Sequence, residues 1–310
     1  MGGGTQARTV GLGVGTGVLS GIVGLLPWIV TGMRLPLQNL WATSTVDPSD
    51  MPVALLPFNQ YWVGVIAGML LVGGAVAGLA VRLLGARFGV PARPATVLAA
   101  SGLLVVQLVA VVQTAVVTGA GLRTDRAIGT GAATSASQVY LVALIVGTLV
   151  AVALAVVLLI VLARTVPAVA IVGLAVGALA AGTWTDAFPL IADGAASTVL
   201  AVTRWVPAVL LGLGIAWTGL RSTGRVVGSV LALLVLWSGS AAVTAITAAL
   251  GTRVYLPYPL ELASFGAEVF RSALGPSGTG IGSALVALVI GGAGALVLRG
   301  RRVRSLPVAG

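Results

Sequence analysis

The side chains able to do chemistry are few in this 310-residue chain. Its carboxylates are Asp47, Asp50, Asp125, Asp186, Asp193, Glu261 and Glu268, and all seventeen basic residues are arginine. Histidine, cysteine and lysine do not occur. That removes imidazole bases, thiol nucleophiles, Schiff-base lysines, His/Cys zinc sites and haem or iron–sulfur ligation. No cofactor, metal site or catalytic residue is expected, and no disulfide can form.

Two polar seams stand out against the apolar background. Gln107, Thr114 and Thr118 fall within about 20° of one direction at 100° per residue, while Gln113 points well away from them. Ser229, Ser240 and Thr247 align in the same manner further along, with Thr244 at the edge. Such positions should face a helix bundle or water rather than lipid. They serve either as interhelical hydrogen bonds or as a substrate path, which makes Gln107, Thr114, Ser240 and Thr247 candidate binding residues. A third candidate site groups Trp184, Asp186, Asp193 and Arg204, where Asp186 can pair with Arg204. It reads as an interfacial ion pair or as a head-group or sugar site.

The elements that position these residues are membrane helices. The chain is 58% hydrophobic and 8% charged, with a mean hydropathy of +1.11, against about 25% charged residues in soluble domains. A water-exposed surface cannot be built from this composition. With about 20 apolar residues needed per crossing, eight spans emerge, at roughly 9–32, 61–81, 96–121, 138–163, 166–183, 203–220, 226–250 and 281–298. The expected fold is a single integral all-α domain, an eight-helix bundle. Small residues recur at four-residue spacing in Gly13, Gly17 and Gly21, in Gly64 and Gly68, in Gly74 and Gly78, and in Gly173, Gly177 and Ala181. Faces of this kind let helix backbones approach closely. No internal repeat is evident. Gln6 stands where a myristoylation signal needs Ser or Thr. The first segment is long and lacks a following small-x-small site, so it reads as a span rather than a cleaved signal peptide.

Arginines orient the bundle. With the N-terminus inside, the inner segments hold Arg8, Arg82, Arg87, Arg93, Arg164, Arg221, Arg225, Arg299, Arg301, Arg302 and Arg304. The outer side holds Arg34, Arg123, Arg126, Arg204, Arg253 and Arg271, together with every carboxylate. Positive charge collects on the cytoplasmic side, so both termini are expected there. The formal charge of +10 is thereby a topology signal, and no nucleic-acid partner is expected. Trp28, Trp62, Tyr140, Trp184 and Trp205 fall at outer helix ends, where amphipathic rings prefer the head-group level. Trp217 lies near an inner end and Trp237 in mid-span. Arginine usage with abundant Ala, Gly and Val suggests a GC-rich bacterium, and hence a bacterial cytoplasmic membrane.

The outer connections are the longer ones, at roughly 33–60, 122–137, 184–202 and 251–280. In the last, Leu262, Phe265, Gly266, Val269 and Ala273 share one helical face and Glu261, Ser264, Glu268 and Arg271 the other. That pattern describes an amphipathic helix on the membrane surface, introduced by Leu256-Pro257-Tyr258-Pro259 and ended by Gly275-Pro276. A shorter counterpart with Leu37, Leu40 and Trp41 follows Pro36. Asp47-Pro48-Ser49-Asp50 then reads as a turn. In its helix, loop and acid this stretch resembles the first outer loop of membrane glycosyltransferases that use polyprenyl-phosphate donors. That resemblance implies a lipid-linked-sugar transferase acting through Asp47 or Asp50.

Three functions follow in order of support. The first is a non-catalytic multi-pass subunit or accessory protein of an envelope assembly or transport complex. Its partners would be membrane lipids and membrane or extracytoplasmic proteins, or further copies of itself. The second is a permease or channel for a small or lipidic substrate, and the third is the transferase. The inner connections are too short to hold a nucleotide-binding domain.

Overall fold

The computed structural model describes residues 3–34, 51–124, 131–191, 197–252, 258–276 and 278–304. They form ten α-helices: α1 (Gly3–Val30), α2 (Val63–Phe88), α3 (Ala92–Thr124), α4 (Gly131–Arg164), α5 (Pro167–Ile191), α6 (Ser197–Thr203), α7 (Val206–Thr218), α8 (Thr223–Gly251), α9 (Pro259–Leu274) and α10 (Thr279–Arg304). A 3-10 turn, Gln60–Trp62, leads into α2. Among the described residues no strand occurs beyond a single bridge between Arg34 and Val53. Eight stretches are long and apolar enough to cross a membrane, with α6 and α7 together making the sixth. The protein is a multi-pass membrane protein of the expected all-α class.

The helices run beyond the apolar windows read from sequence. The second window covers 61–81, whereas the span extends from Gln60 to Phe88, so that Arg82 and Arg87 ride on its last turns. It stops at Gly89, whose φ of 65° suits glycine, with the Val90 N–H donating to the Gly85 carbonyl. Helix α5 passes the window's end at 183 and reaches Ile191. No breaker interrupts Thr183–Phe188, so Trp184 and Asp186 lie on a helix rather than in a loop. The sixth span begins before 203, because α6 precedes it and a turn at Arg204-Trp205 separates α6 from α7. Pro207 sits in the first turn of α7, where a missing N–H costs no bond within that helix but cannot continue the hydrogen-bond ladder from α6.

Two compact units make up the chain, one of residues 1–163 and 183–197, the other of 164–182 and 198–310. In the first unit the glycine stripes do what their spacing implies. A Cβ at Gly13 would lie 2.6 Å from the Leu98 Cβ, one at Gly21 2.9 Å from Val106, and one at Gly17 would strike the Ala99 carbonyl. These contacts seat α1 on α3. Gly74 and Gly78 seat α2 on α4 against the Ala155 and Leu159 backbone. Lipid offers no hydrophobic drive between helices, so this close backbone approach supplies the packing contacts. In the second unit Ile171 and Ala175 of α5, Leu211 and Ile215 of α7, Leu236 of α8 and Ala287 of α10 share one core.

Helix α9 has the face that the sequence suggests. Leu262, Phe265, Gly266, Val269 and Ala273 are half-buried, while Glu261, Ser264, Glu268 and Arg271 are exposed. The covered side packs on α8, where a Cβ at Gly266 would stand 3.6 Å from that of Ala249. The shorter element expected after Pro36 lies outside the described residues.

Candidate functional site

The densest polar arrangement in the first unit surrounds a stretch that sequence reading leaves as loop. Pro52 and Pro57 keep residues 51–59 out of a helix, and the stretch carries Ala54, Leu56 and Phe58. All three are buried, at 0%, 0% and 4% exposure. Phe58 N–H donates to the Leu56 carbonyl around Pro57 at 3.0 Å. Non-helical backbone of this kind is tolerated in a membrane protein only where other protein groups satisfy it.

Three helices supply those groups. From α1, the Trp28 indole N–H donates to the Ala54 carbonyl at 2.7 Å. From α3, Gln113 accepts the Leu55 N–H at 2.9 Å and donates to the Val53 carbonyl at 3.0 Å. Its neighbour Thr114 accepts the Leu56 N–H at 2.9 Å. From α4, the Tyr140 hydroxyl accepts the Gln60 N–H at 3.1 Å. Asn59 caps the following 3-10 turn by accepting the Tyr61 N–H at 3.0 Å. Trp62 meets Trp28 edge-on at 5.8 Å. The entry to the segment is held as well, since Arg34 donates to the Met51 carbonyl at 2.8 Å and Ala54 N–H to the Met33 carbonyl at 3.0 Å.

This geometry changes the reading of two residue groups. On the helical wheel Gln113 stands outside the Gln107–Thr114 seam, and its direction is indeed different. It nonetheless works with Thr114, because a non-helical stretch of chain passes α3 and offers adjacent backbone groups to both side chains. Trp28 has the sequence position of a head-group belt residue, yet it is 1% exposed and belongs to the core. A sequence signal for the segment does exist: an apolar run, Val53–Leu56, between two prolines in a stretch too short to span, with side-chain amides on a nearby helix.

Gln107 sits two helical turns from Thr114 and is 1% exposed. Its Nε2 donates to the Leu70 carbonyl of α2 at 2.9 Å, while its Oε1 has no partner. The glycine at 73 leaves it room, since a Cβ there would be 3.4 Å from that nitrogen. Thr118 Oγ1 and Gln60 Nε2 are likewise buried without a partner. Gln107 Oε1, Thr118 Oγ1 and Gln60 Nε2 thus keep unused hydrogen-bonding capacity inside the first unit.

The other candidates are arranged differently. On α8, Ser229, Ser240 and Thr244 each donate to a carbonyl one turn back, at 2.8, 2.7 and 3.0 Å. This back-bonding satisfies the hydroxyl within its own helix. Thr247 is exposed. Trp184 donates its indole N–H to the Gly24 carbonyl at 2.9 Å and packs edge-on against Phe188 at 5.2 Å. Asp186 is half-buried and belongs to the first unit; Arg204 belongs to the second, with its guanidinium 4.8 Å over the Trp205 ring. Asp47, Asp50 and Asp193 lie outside the described residues. Among the described residues no group of three or more His, Cys, Asp or Glu is placed to hold a metal ion.

No family model matches this chain, and no curated protein or solved structure is similar to it.

Proposed function

We propose that this protein is a non-catalytic multi-pass subunit or accessory protein of a bacterial cell-envelope assembly or transport complex. It resides in the cytoplasmic membrane with both termini inside, and it meets its partners through its extracytoplasmic segments. The observation that carries this reading is the use of the polar side chains inside the first unit. Trp28, Gln113, Thr114 and Tyr140 all bind the backbone of residues 53–60, and Gln107 binds α2. Those groups are spent on holding a buried segment inside the fold, which suits a rigid scaffold better than a polar substrate path. The α8 hydroxyls already donate their protons within their own helix.

A second reading, a permease or channel for a small or lipidic substrate, draws on the unpartnered Gln107 Oε1, Thr118 Oγ1 and Gln60 Nε2. Gln107→Leu separates the two. For a scaffold, the loss of one interhelical bond of about 1 kcal/mol lowers detergent stability slightly and complementation of a deletion strain persists. A Gln107→Leu protein that is folded, inserted and functionally dead overturns the scaffold reading in favour of transport.

A further inference from the structure

Helices α8, α9 and the start of α10 border a cavity of about 500 Å3, within the usual size of a small-molecule site. One wall is apolar, from Phe265 and Val269. The remainder presents the Glu268 carboxylate and the hydroxyls of Thr244, Ser272 and Thr279. Thr244 already donates its proton to the Ser240 carbonyl at 3.0 Å, so its lone pairs remain to accept. No arginine is among the described residues that line the cavity, and the chain has no lysine to fill it. The lining is thus a set of acceptors around one negative charge in a protein of net charge +10.

The depth of the cavity selects the source of the ligand. Thr279 is the first residue of the last span, which places it at the membrane boundary. Helix α8 has 29 residues, about 43 Å at 1.5 Å per residue, and so outruns a hydrocarbon core of about 30 Å. The cavity therefore lies at head-group level.

We propose that this cavity binds the primary ammonium head group of an aminophospholipid, such as phosphatidylethanolamine, with Glu268 as counter-ion and the three hydroxyls as acceptors. A primary ammonium offers three N–H donors to that set. A choline head group offers none, and an anionic head group brings no positive charge to pair with Glu268. This site is independent of the subunit reading above: a scaffold and a permease would bind the lipid alike.

Native mass spectrometry of the delipidated full chain, titrated with phosphatidylethanolamine, phosphatidylcholine or phosphatidylglycerol, tests the proposal. The ethanolamine lipid is expected to bind about tenfold more tightly than the choline lipid, the worth of one hydrogen bond to a charged group. Glu268→Gln should abolish that preference while Glu268→Asp retains it. Glu261→Gln, on the same helix but outside the cavity lining, should change nothing. A melting curve for each variant establishes that it is folded. Equal binding of the ethanolamine and choline lipids, or an unaltered preference in Glu268→Gln, overturns the proposal. Competition by free ethanolamine at concentrations matching the lipid overturns the lipid as the ligand.

Discussion

Gln113 and Thr114 are adjacent in sequence and about 100° apart on the helix, yet both hold the same non-helical segment. Thr114→Val keeps the volume and removes the acceptor for the buried Leu56 N–H. Leaving such a donor unpaired costs about 1–3 kcal/mol, so this variant should unfold at a clearly lower temperature in detergent, while Thr114→Ser should stay near the parent. Thermal melts of the two purified variants check this, and equal melting of valine and serine forms would mean that the bond contributes nothing. At this scale the sequence is informative about polarity and weak about partners. The Gln107–Thr114–Thr118 alignment on one wheel direction marks side chains that are indeed buried. What Thr114 binds is a non-helical stretch of chain, and a helical wheel has no place for it.

At the level of the helix, the spacing of small residues foretells which faces meet. Gly17 backs onto the Ala99 carbonyl, whereas nothing lies within 4 Å of a Cβ at Gly15, two residues away. Gly17→Ala should therefore cost about 1–3 kcal/mol through overpacking. Gly15→Ala should be neutral or gain up to about 1 kcal/mol from helix propensity. Folding yield and melting temperature of the pair decide the matter, and a reversed order would contradict the seating of α1 on α3. The spans are legible because an uncharged apolar run of about 20 residues matches the thickness of a hydrocarbon core and exceeds what a soluble core helix buries. Their boundaries are not, because helices continue past hydrocarbon wherever no glycine or proline stops them. Arg82 and Arg87 on α2 and Trp184 and Asp186 on α5 show this. The face of α9 is readable from Leu262, Phe265, Gly266, Val269 and Ala273, since a surface helix must bury one stripe and wet the other. Its packing on α8 is not, because nothing in a periodic pattern names the neighbour.

For the molecule as a whole, the proposed orientation rests on arginine, eleven inside against six outside. The native chain has no cysteine, so single cysteines report topology without background. Ser272, Ala92 and Ser222 are all exposed, and reagent access at each depends only on the side it occupies. Cysteine at Ser272 should react with an impermeant maleimide from outside; cysteine at Ala92 or Ser222 should not. External labelling of Ala92 would invert the orientation. Whether this chain works as part of a larger assembly is decided by the composition of the complex released from native membranes in mild detergent. A second polypeptide at fixed stoichiometry with this chain is expected, and no substrate flux when the purified chain alone is placed in liposomes. A particle holding only copies of this chain that catalyses flux in liposomes would contradict it.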